Sequence, residues 1–378
     1  MPMSYATIIL SALFAFGLFP SCYNCNAFLQ PQPSTTTTAQ NFSERHQSPN
    51  LHSKRIMQQS QSCDPGKREG SRVAFIGNSI LYYNDCPRFM ANLGKGFIEH
   101  QDSCLRGGTN LSELWNLGNG MRRHGFGTDA AKTGEKSEDG QDIYDVGKPS
   151  VKDLLEGNEE EAEKFDFVVF NDHTQGPARP ASRKASQDTL VEHYLPLIRR
   201  NDATPIIIET AAYRLPEINN SKDLGSTRQF QQRVREGVQS YVQVLATKLR
   251  SEPNQPRMAP VGTAFYYVHE NNRPLWEELF DPFDNFHPSP IGTYLQGCVL
   301  HCTMFGTPPP LPKTTEEIED LWEGARVMHH VKTGKNRRLP SVEEAKYLRN
   351  VAAEICALES ERLSVEEVDN SANNTGRL

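Results

Sequence analysis

The sequence predicts an α/β fold, a parallel sheet covered on both faces by helices. Two observations carry this. Short apolar runs of the kind that buried parallel strands show recur at Val73–Ile76, Phe165–Phe170, Pro205–Glu209 and Met258–Val261. Stretches with helical spacing of apolar residues separate them, and such alternation implies right-handed crossovers between parallel strands. The polar groups with chemical potential stand just after these runs, where open α/β sheets gather their ligands.

Val73–Ile76 follows a long polar segment and leads into Gly77, which permits a tight turn. Ser79 then falls just past the strand end, ahead of a helix. A serine at such a place is either a nucleophile, held rigid and exposed, or a simple helix cap. Cys86–His100 has helical spacing through Phe89, Leu93, Phe97 and Ile98. A short strand ends at Leu105, and the turn Arg106-Gly107-Gly108-Thr109-Asn110 precedes a further helical face of Leu111, Leu114 and Trp115. Gly118–Ser150 is polar and glycine-rich, long enough to be a lid, a binding surface or a surface insertion.

Val151–Glu163 reads as an acidic amphipathic helix with a solvated face. The strand Phe165–Phe170 runs directly into Asn171-Asp172. Leu190–Arg200 and Thr227–Leu249 are helical, the second with Phe230, Val234, Val238, Val242 and Leu245 along one side. Pro288-Ser289-Pro290 opens another helix, proline suiting the first turn and serine the cap. Its expected buried face is Ile291, Leu295, Cys298, Val299 and Cys302. Helices are expected over Thr315–Val331 and Val342–Arg362, with a polar tail from Leu363 to Leu378.

The 378 residues carry a net charge of −7 and no long basic run, which argues against nucleic acid as a partner. The apolar run Ala6–Phe19 is shorter than the roughly 20 residues of a membrane span. It reads as the core of a signal peptide, residues 1–27, cleaved after Cys25-Asn26-Ala27 and leaving no stable membrane span. Residues 28–70, rich in Ser, Thr, Gln and Pro, form a low-complexity linker or a transit peptide. Asn-Ala-Phe-Leu-Gln-Pro at 26–31 resembles the signal and transit junction of proteins bound for complex plastids. Entry to the secretory pathway is therefore expected, with a secreted, lumenal or plastid destination. Six cysteines would remain after cleavage, as disulfides or as buried thiols, and their spacing suggests no zinc site.

Three strand ends offer Ser79, Gly107 or Gly108, and Asn171 to one edge of the sheet. A fourth contribution comes from the loop Asp281–Pro288, where Asp284 precedes His287 by three residues. That spacing lets the carboxylate reach imidazole Nδ1 and leaves Nε2 for a serine hydroxyl.

Taken together, these blocks resemble the SGNH (GDSL-like) hydrolases. Gly77-Asn78-Ser79 is similar to the nucleophile block, with Asn78 where many members carry Asp. Gly108 is similar to the glycine of the second block, Asn171-Asp172 to the Gly-x-Asn-Asp block with Val169 in place of Gly, and Asp284 with His287 to the terminal Asp-x-x-His pair. His287–Leu295 also matches a subgroup with His-Pro-Ser and Gly-Thr-Tyr-Leu in this place. The resemblance runs from Arg72 to Leu311, within a domain of residues 71–362.

The resemblance implies a three-layer α/β/α sandwich, flavodoxin-like, with about five parallel strands. It implies a serine esterase acting through an acyl-enzyme on a small-molecule or polymer-linked ester. Ser79, Asp284 and His287 would be the triad, and Ser79, Gly108 and Asn171 the oxyanion hole. Neither metal nor nucleotide cofactor is implied. An acyltransferase acting on sugar or lipid hydroxyls, or an inactive binding protein of the same fold, would share these residues. An α/β-hydrolase fits less well, since its Gly-x-Ser-x-Gly elbow would need glycine at Leu81.

Overall fold

The computed structural model describes residues 70–121, 147–157, 164–217, 221–282, 284–325 and 338–375, with side chains as far as Leu363. The expected signal peptide, the low-complexity segment and most of the Gly118–Ser150 loop lie outside the described residues.

Five strands form one parallel sheet: β1 (Ser71–Gly77), β2 (Ile98–Leu105), β3 (Phe167–Phe170), β4 (Thr204–Ile208) and β5 (Arg257–Ala259). Their spatial order is β2-β1-β3-β4-β5, the doubly wound order of flavodoxin. Alternation along β1 makes the layers. Val73 and Phe75 join one apolar core, and Ala74 and Ile76 the other. The fold is thus a three-layer α/β/α sandwich, and its order reverses between β1 and β3. Ser79 and Asn171 follow those two strands.

Helices cover the first core in chain order: α1 (Ser79–Tyr82) and α2 (Cys86–Leu93) follow β1. The expected helix Cys86–His100 stops early because Gly94 and Gly96, the latter at φ +86°, break it. Ile98 consequently begins β2 instead of ending a helical face, and Phe97 is partly exposed. The second core is covered by α3 (Leu111–Leu117), α4 (Val151–Glu156) and further helices after β3. Gly157 at φ +63° ends α4 well before Glu163, where the sequence pattern alone suggests continuation.

After β3 come α5 (Gln175–Ala178), α6 (Pro180–Thr189), a π turn at Leu190–Tyr194, and α7 (Leu195–Asn201). Pro196 has no N–H and its ring crowds the carbonyl four residues back, so the widened turn beside it is a local accommodation. The long α8 (Thr227–Lys248) buries the expected stripe of Phe230, Val234, Val238 and Leu245, with Val242 packed at its margin. Two helices not anticipated from the sequence, α9 (Val261–Asn271) and α10 (Arg273–Glu278), follow β5.

Ser289 caps α11 (Pro290–Phe305) by accepting from Gly292 N–H at 3.2 Å, as expected from its position before a proline. Almost the whole circumference of α11 is buried, because α13 (Val342–Thr375) lies along the side away from the sheet. Between them α12 (Thr315–Asp320) is one short segment of the longer expected helix. α13 continues to Thr375, into the expected polar tail, since no glycine or proline interrupts Val342–Thr375. Its Glu359 pairs with Arg235 of α8, and Arg235 reaches the buried Glu209 after β4 at 3.3 Å. Burial pushes Glu209 up to about 7, against the pull of Arg235, Gln231 and Thr263. Cys86, Cys104, Cys298, Cys302 and Cys356 are all free thiols.

The turn out of β1 depends on one missing methyl group. A Cβ at Gly77 would lie 2.8 Å from Asn171 Cβ and 2.9 Å from Asn171 O. Gly77→Ala should therefore destabilise the protein by about 1–3 kcal/mol, as overpacked cores do. A urea unfolding curve with the wild-type midpoint would show that β1 and β3 do not need this approach.

Candidate active site

The first three blocks meet at the C-terminal ends of β1, β2 and β3. Arg106 N–H donates to Gly77 O at 3.0 Å, and Asn171 N–H donates to Ile76 O at 2.8 Å. The parallel register is thus carried just beyond the strands, and the three turns share one edge.

Side chains then lock the turns. Asn78 accepts from Ile80 N–H at 3.1 Å, capping α1, and its Nδ2 donates to Thr109 O at 3.0 Å. The second contact ties the turn that carries Ser79 to the glycine turn, and a carboxylate could not make it. Asp172, 2% exposed, accepts from the N–H groups of Leu111 (3.0 Å) and His173 (2.8 Å) and from the Tyr241 hydroxyl (2.8 Å). Burial raises the Asp172 carboxyl above its ordinary value while these donors pull it down. Tyr194 donates to Leu111 O at 2.9 Å, so the first residue of α3 is held through both its N–H and its carbonyl.

Asp284 and His287 are brought together as their spacing predicts. Asp284 Oδ2 lies 2.6 Å from His287 Nδ1, and Asp284 Oδ1 accepts from the backbone N–H of His287 (3.0 Å) and Phe286 (3.1 Å). Burial works to raise the Asp284 carboxyl, but the His287 hydrogen bond, its charge and the two backbone donors together hold it below the ordinary value. Asp284 is therefore an anion at neutral pH, and it fixes the proton of a neutral His287 on Nδ1.

The loop carrying this pair is itself clamped. Asn285 takes a left-handed φ of +68°, a conformation that asparagine tolerates better than most residues. Arg214, in the segment after β4, donates from Nε to Asn285 Oδ1 at 2.9 Å and from Nη1 to Glu277 O at 2.9 Å. Its backbone N–H also donates to Asn285 O at 2.8 Å. Asn84 Nδ2 donates to Pro288 O (2.7 Å) and Thr293 Oγ1 (2.9 Å), joining the segment after Ser79 to the histidine loop. Tyr83 stacks face to face on His287, with ring centroids 4.0 Å apart and planes 4° from parallel.

The hydroxyl of Ser79 and Nε2 of His287 are not hydrogen-bonded. His287 Nε2 is buried and has no hydrogen-bond partner. Gly108 sits at φ +70° with open space where a side chain would project. Asn171 Nδ2 donates to Asp172 O at 3.0 Å, which leaves its second N–H proton. Tyr82, Tyr83, Asn84 and Arg214 were not among the residues singled out from the sequence. The first three follow Ser79 directly, and that proximity is the only signal that marks them. Among the described residues no group of three or more His, Cys, Asp or Glu could hold a metal ion, and no helix is long and apolar enough to cross a membrane.

No family model and no curated protein matches the chain. Solved structures do. An SGNH hydrolase candidate from Slackia heliotrinireducens is 23% identical, covering 62% of this chain and 99% of its own, with a TM-score of 0.40. A DUF4886 family protein from Bacteroides uniformis is 16% identical, covering 67% of this chain and 92% of its own, with a TM-score of 0.42. An acetyl xylan esterase is 14% identical, covering 61% of this chain and 97% of its own, with a TM-score of 0.34. The chain resembles the SGNH hydrolases in the order of its motifs, and its strand order is that of a flavodoxin-like sheet.

The two-way use of Asn78 can be tested by Asn78→Asp, the residue that many SGNH hydrolases carry. The new carboxylate would keep the cap on Ile80 but face Thr109 O without a proton. The variant should lose about 1–3 kcal/mol of stability at neutral pH, the cost of an unsatisfied buried group. Repulsion from Thr109 O raises the folded-state pKa of the new carboxyl. The deficit should therefore shrink as pH falls through that value, because the protonated acid can donate again. Thermal midpoints measured from weakly acidic to neutral pH, equal to wild type throughout, would remove Asn78 as the link between the two turns.

Proposed function

We propose that the protein is a serine esterase that hydrolyses carboxylic esters through an acyl-enzyme. The observation that carries this is the Asp284–His287 pair, with Nδ1 engaged at 2.6 Å and Nε2 left without a partner. An imidazole held in that tautomer has its lone pair on Nε2, as a general base requires.

Catalysis starts when the Ser79 side chain turns towards His287. Ser79 Oγ attacks the ester carbonyl carbon and its proton passes to His287 Nε2. Asp284 stabilises the imidazolium that forms. The N–H groups of Ser79 and Gly108 and the remaining Asn171 amide proton receive the charge on the carbonyl oxygen. The intermediate collapses as His287 Nε2–H protonates the leaving alcohol. Water then attacks the acyl-enzyme by the same route in reverse, releasing the acid and restoring Ser79.

A fluorophosphonate probe should label the wild type and not Ser79→Ala. Ser79→Ala and His287→Ala should each lower kcat by more than about a thousandfold, and the double variant should be hardly worse than either alone, since members of one catalytic unit are strongly non-additive. Multiplying losses would mean that the two residues do not act together. The acid side of the rate profile should fall with the slope of a single proton. Asp284, held below its ordinary value, remains ionised there and contributes no second one. A slope of two would contradict its assignment as the permanent anion.

A further inference from the structure

The loop Asp281–Pro288 is attached to the fold at its base and at its tip. At the base, Phe280 and Pro288 form an antiparallel bridge, and Ser289 N–H donates to Leu279 O at 2.9 Å. Asn84 adds its bond to Pro288 O there. These contacts hold the two ends of the loop together, and a hinge fixed only at its base can still pivot. The tip is fixed from the segment after β4. Phe286 lies against Tyr213, with ring centroids 5.3 Å apart, and Asn285 is gripped by Arg214.

The grip uses both backbone and side chain. Arg214 N–H donates to Asn285 O at 2.8 Å, Nε donates to Asn285 Oδ1 at 2.9 Å, and Nη2 donates to the same oxygen. On the far edge of the guanidinium, Nη1 donates to Glu277 O at 2.9 Å and lies 3.5 Å from the Glu277 carboxylate. The Arg214 side chain is 16% exposed, so this planar fork is held largely out of water. A lysine, one compact charge on a flexible stem, would not reproduce it.

Asn285 stands between Asp284 and His287. Through it, Arg214 refers the position of the imidazole to β4, in the same sheet whose β1 leads to Ser79. Asp284 sets the tautomer of His287 from within the loop, whereas the grip on Asn285 sets where the loop stands.

We propose that Arg214 is a positioning residue, which sets how closely His287 Nε2 approaches the Ser79 hydroxyl by fixing the tip of the loop. The inference rests on the esterase function proposed above. No bond to Arg214 forms or breaks, since the serine proton goes to His287 Nε2 and the guanidinium keeps its own protons. It supplies orientation, and a misplacement of about 1 Å between reacting groups can cost about a hundredfold in rate.

Arg214→Lys keeps the charge and loses the fork. With p-nitrophenyl acetate as substrate, kcat should fall by about tenfold to a hundredfold while KM stays within a few-fold. The second-order rate of fluorophosphonate labelling at Ser79 should fall in parallel. The acid limb of the rate profile should stay in place, because the Asp284–His287 pair is untouched. Arg214→Ala should lose more, and millimolar methylguanidinium should recover part of its kcat where methylammonium does not. Asn285→Gly suits the φ of +68° but removes the Oδ1 acceptor. It should slow turnover by itself, and in the Arg214→Ala/Asn285→Gly double variant methylguanidinium should restore no activity. Near-UV circular dichroism and thermal midpoints establish that each variant is folded. Should Arg214→Ala not fold, Arg214→Lys and Asn285→Gly decide the matter by their kcat and labelling rates.

Wild-type kcat in a folded Arg214→Lys, a loss confined to KM, a displaced acid limb, or recovery that does not favour methylguanidinium over methylammonium would each overturn the role of Arg214 and leave the esterase function standing. A wild type that neither hydrolyses the ester nor takes the fluorophosphonate at Ser79 would overturn both.

Discussion

The approach of β1 to β3 at the point where strand order reverses is the constraint on which the rest of the site depends. Gly77 and Asn171 meet there at a separation that leaves no room for a methyl group. The backbone bond from Asn171 N–H to Ile76 O extends the ladder past the last strand residues. Once these two strand ends are fixed, the serine after one and the asparagine after the other are neighbours by construction. Asp172 then carries the constraint to the second block by holding the start of α3. The order of the blocks in the chain is thus turned into a cluster by sheet topology and a few buried polar contacts.

How much of this was legible follows from where each signal resides. β1, β3 and β4 are buried on both faces, so they stand out as uninterrupted apolar runs. β2 is an edge strand with Glu99, His100, Gln101 and Asp102 in its exposed half, and only its last residues read as a strand. The same exposure let Ile98 be taken for the end of a helix. α13 outruns its apolar pattern because no glycine or proline stands before Thr375 to stop it.

The site divides in the same way. Asp284 and His287 are three residues apart, so their pairing is a local matter that spacing can express. The left-handed Asn285 between them could be guessed from residue type, but its clamp by Arg214 could not, because that contact spans 71 residues. Asn84 and Tyr83 illustrate a middle case. Their nearness to Ser79 is local, but what they do depends on Pro288 in one case and His287 in the other. No periodicity records such long-range partners.

The loop from Asp281 to Pro288 has a consequence for how the site tolerates change. Asp281 N–H donates to His287 O at 2.8 Å and Asn285 N–H to Asp281 O at 3.3 Å, so the segment closes on itself. Imidazole and carboxylate therefore travel as one cartridge. A displacement of the cartridge alters how far the imidazole stands from the serine while leaving its tautomer and its electrostatic partner intact. Reach and proton affinity become separately adjustable, the first by whatever packs outside the cartridge and the second only from within. Sequence drift in the surrounding helices can then retune one without corrupting the other.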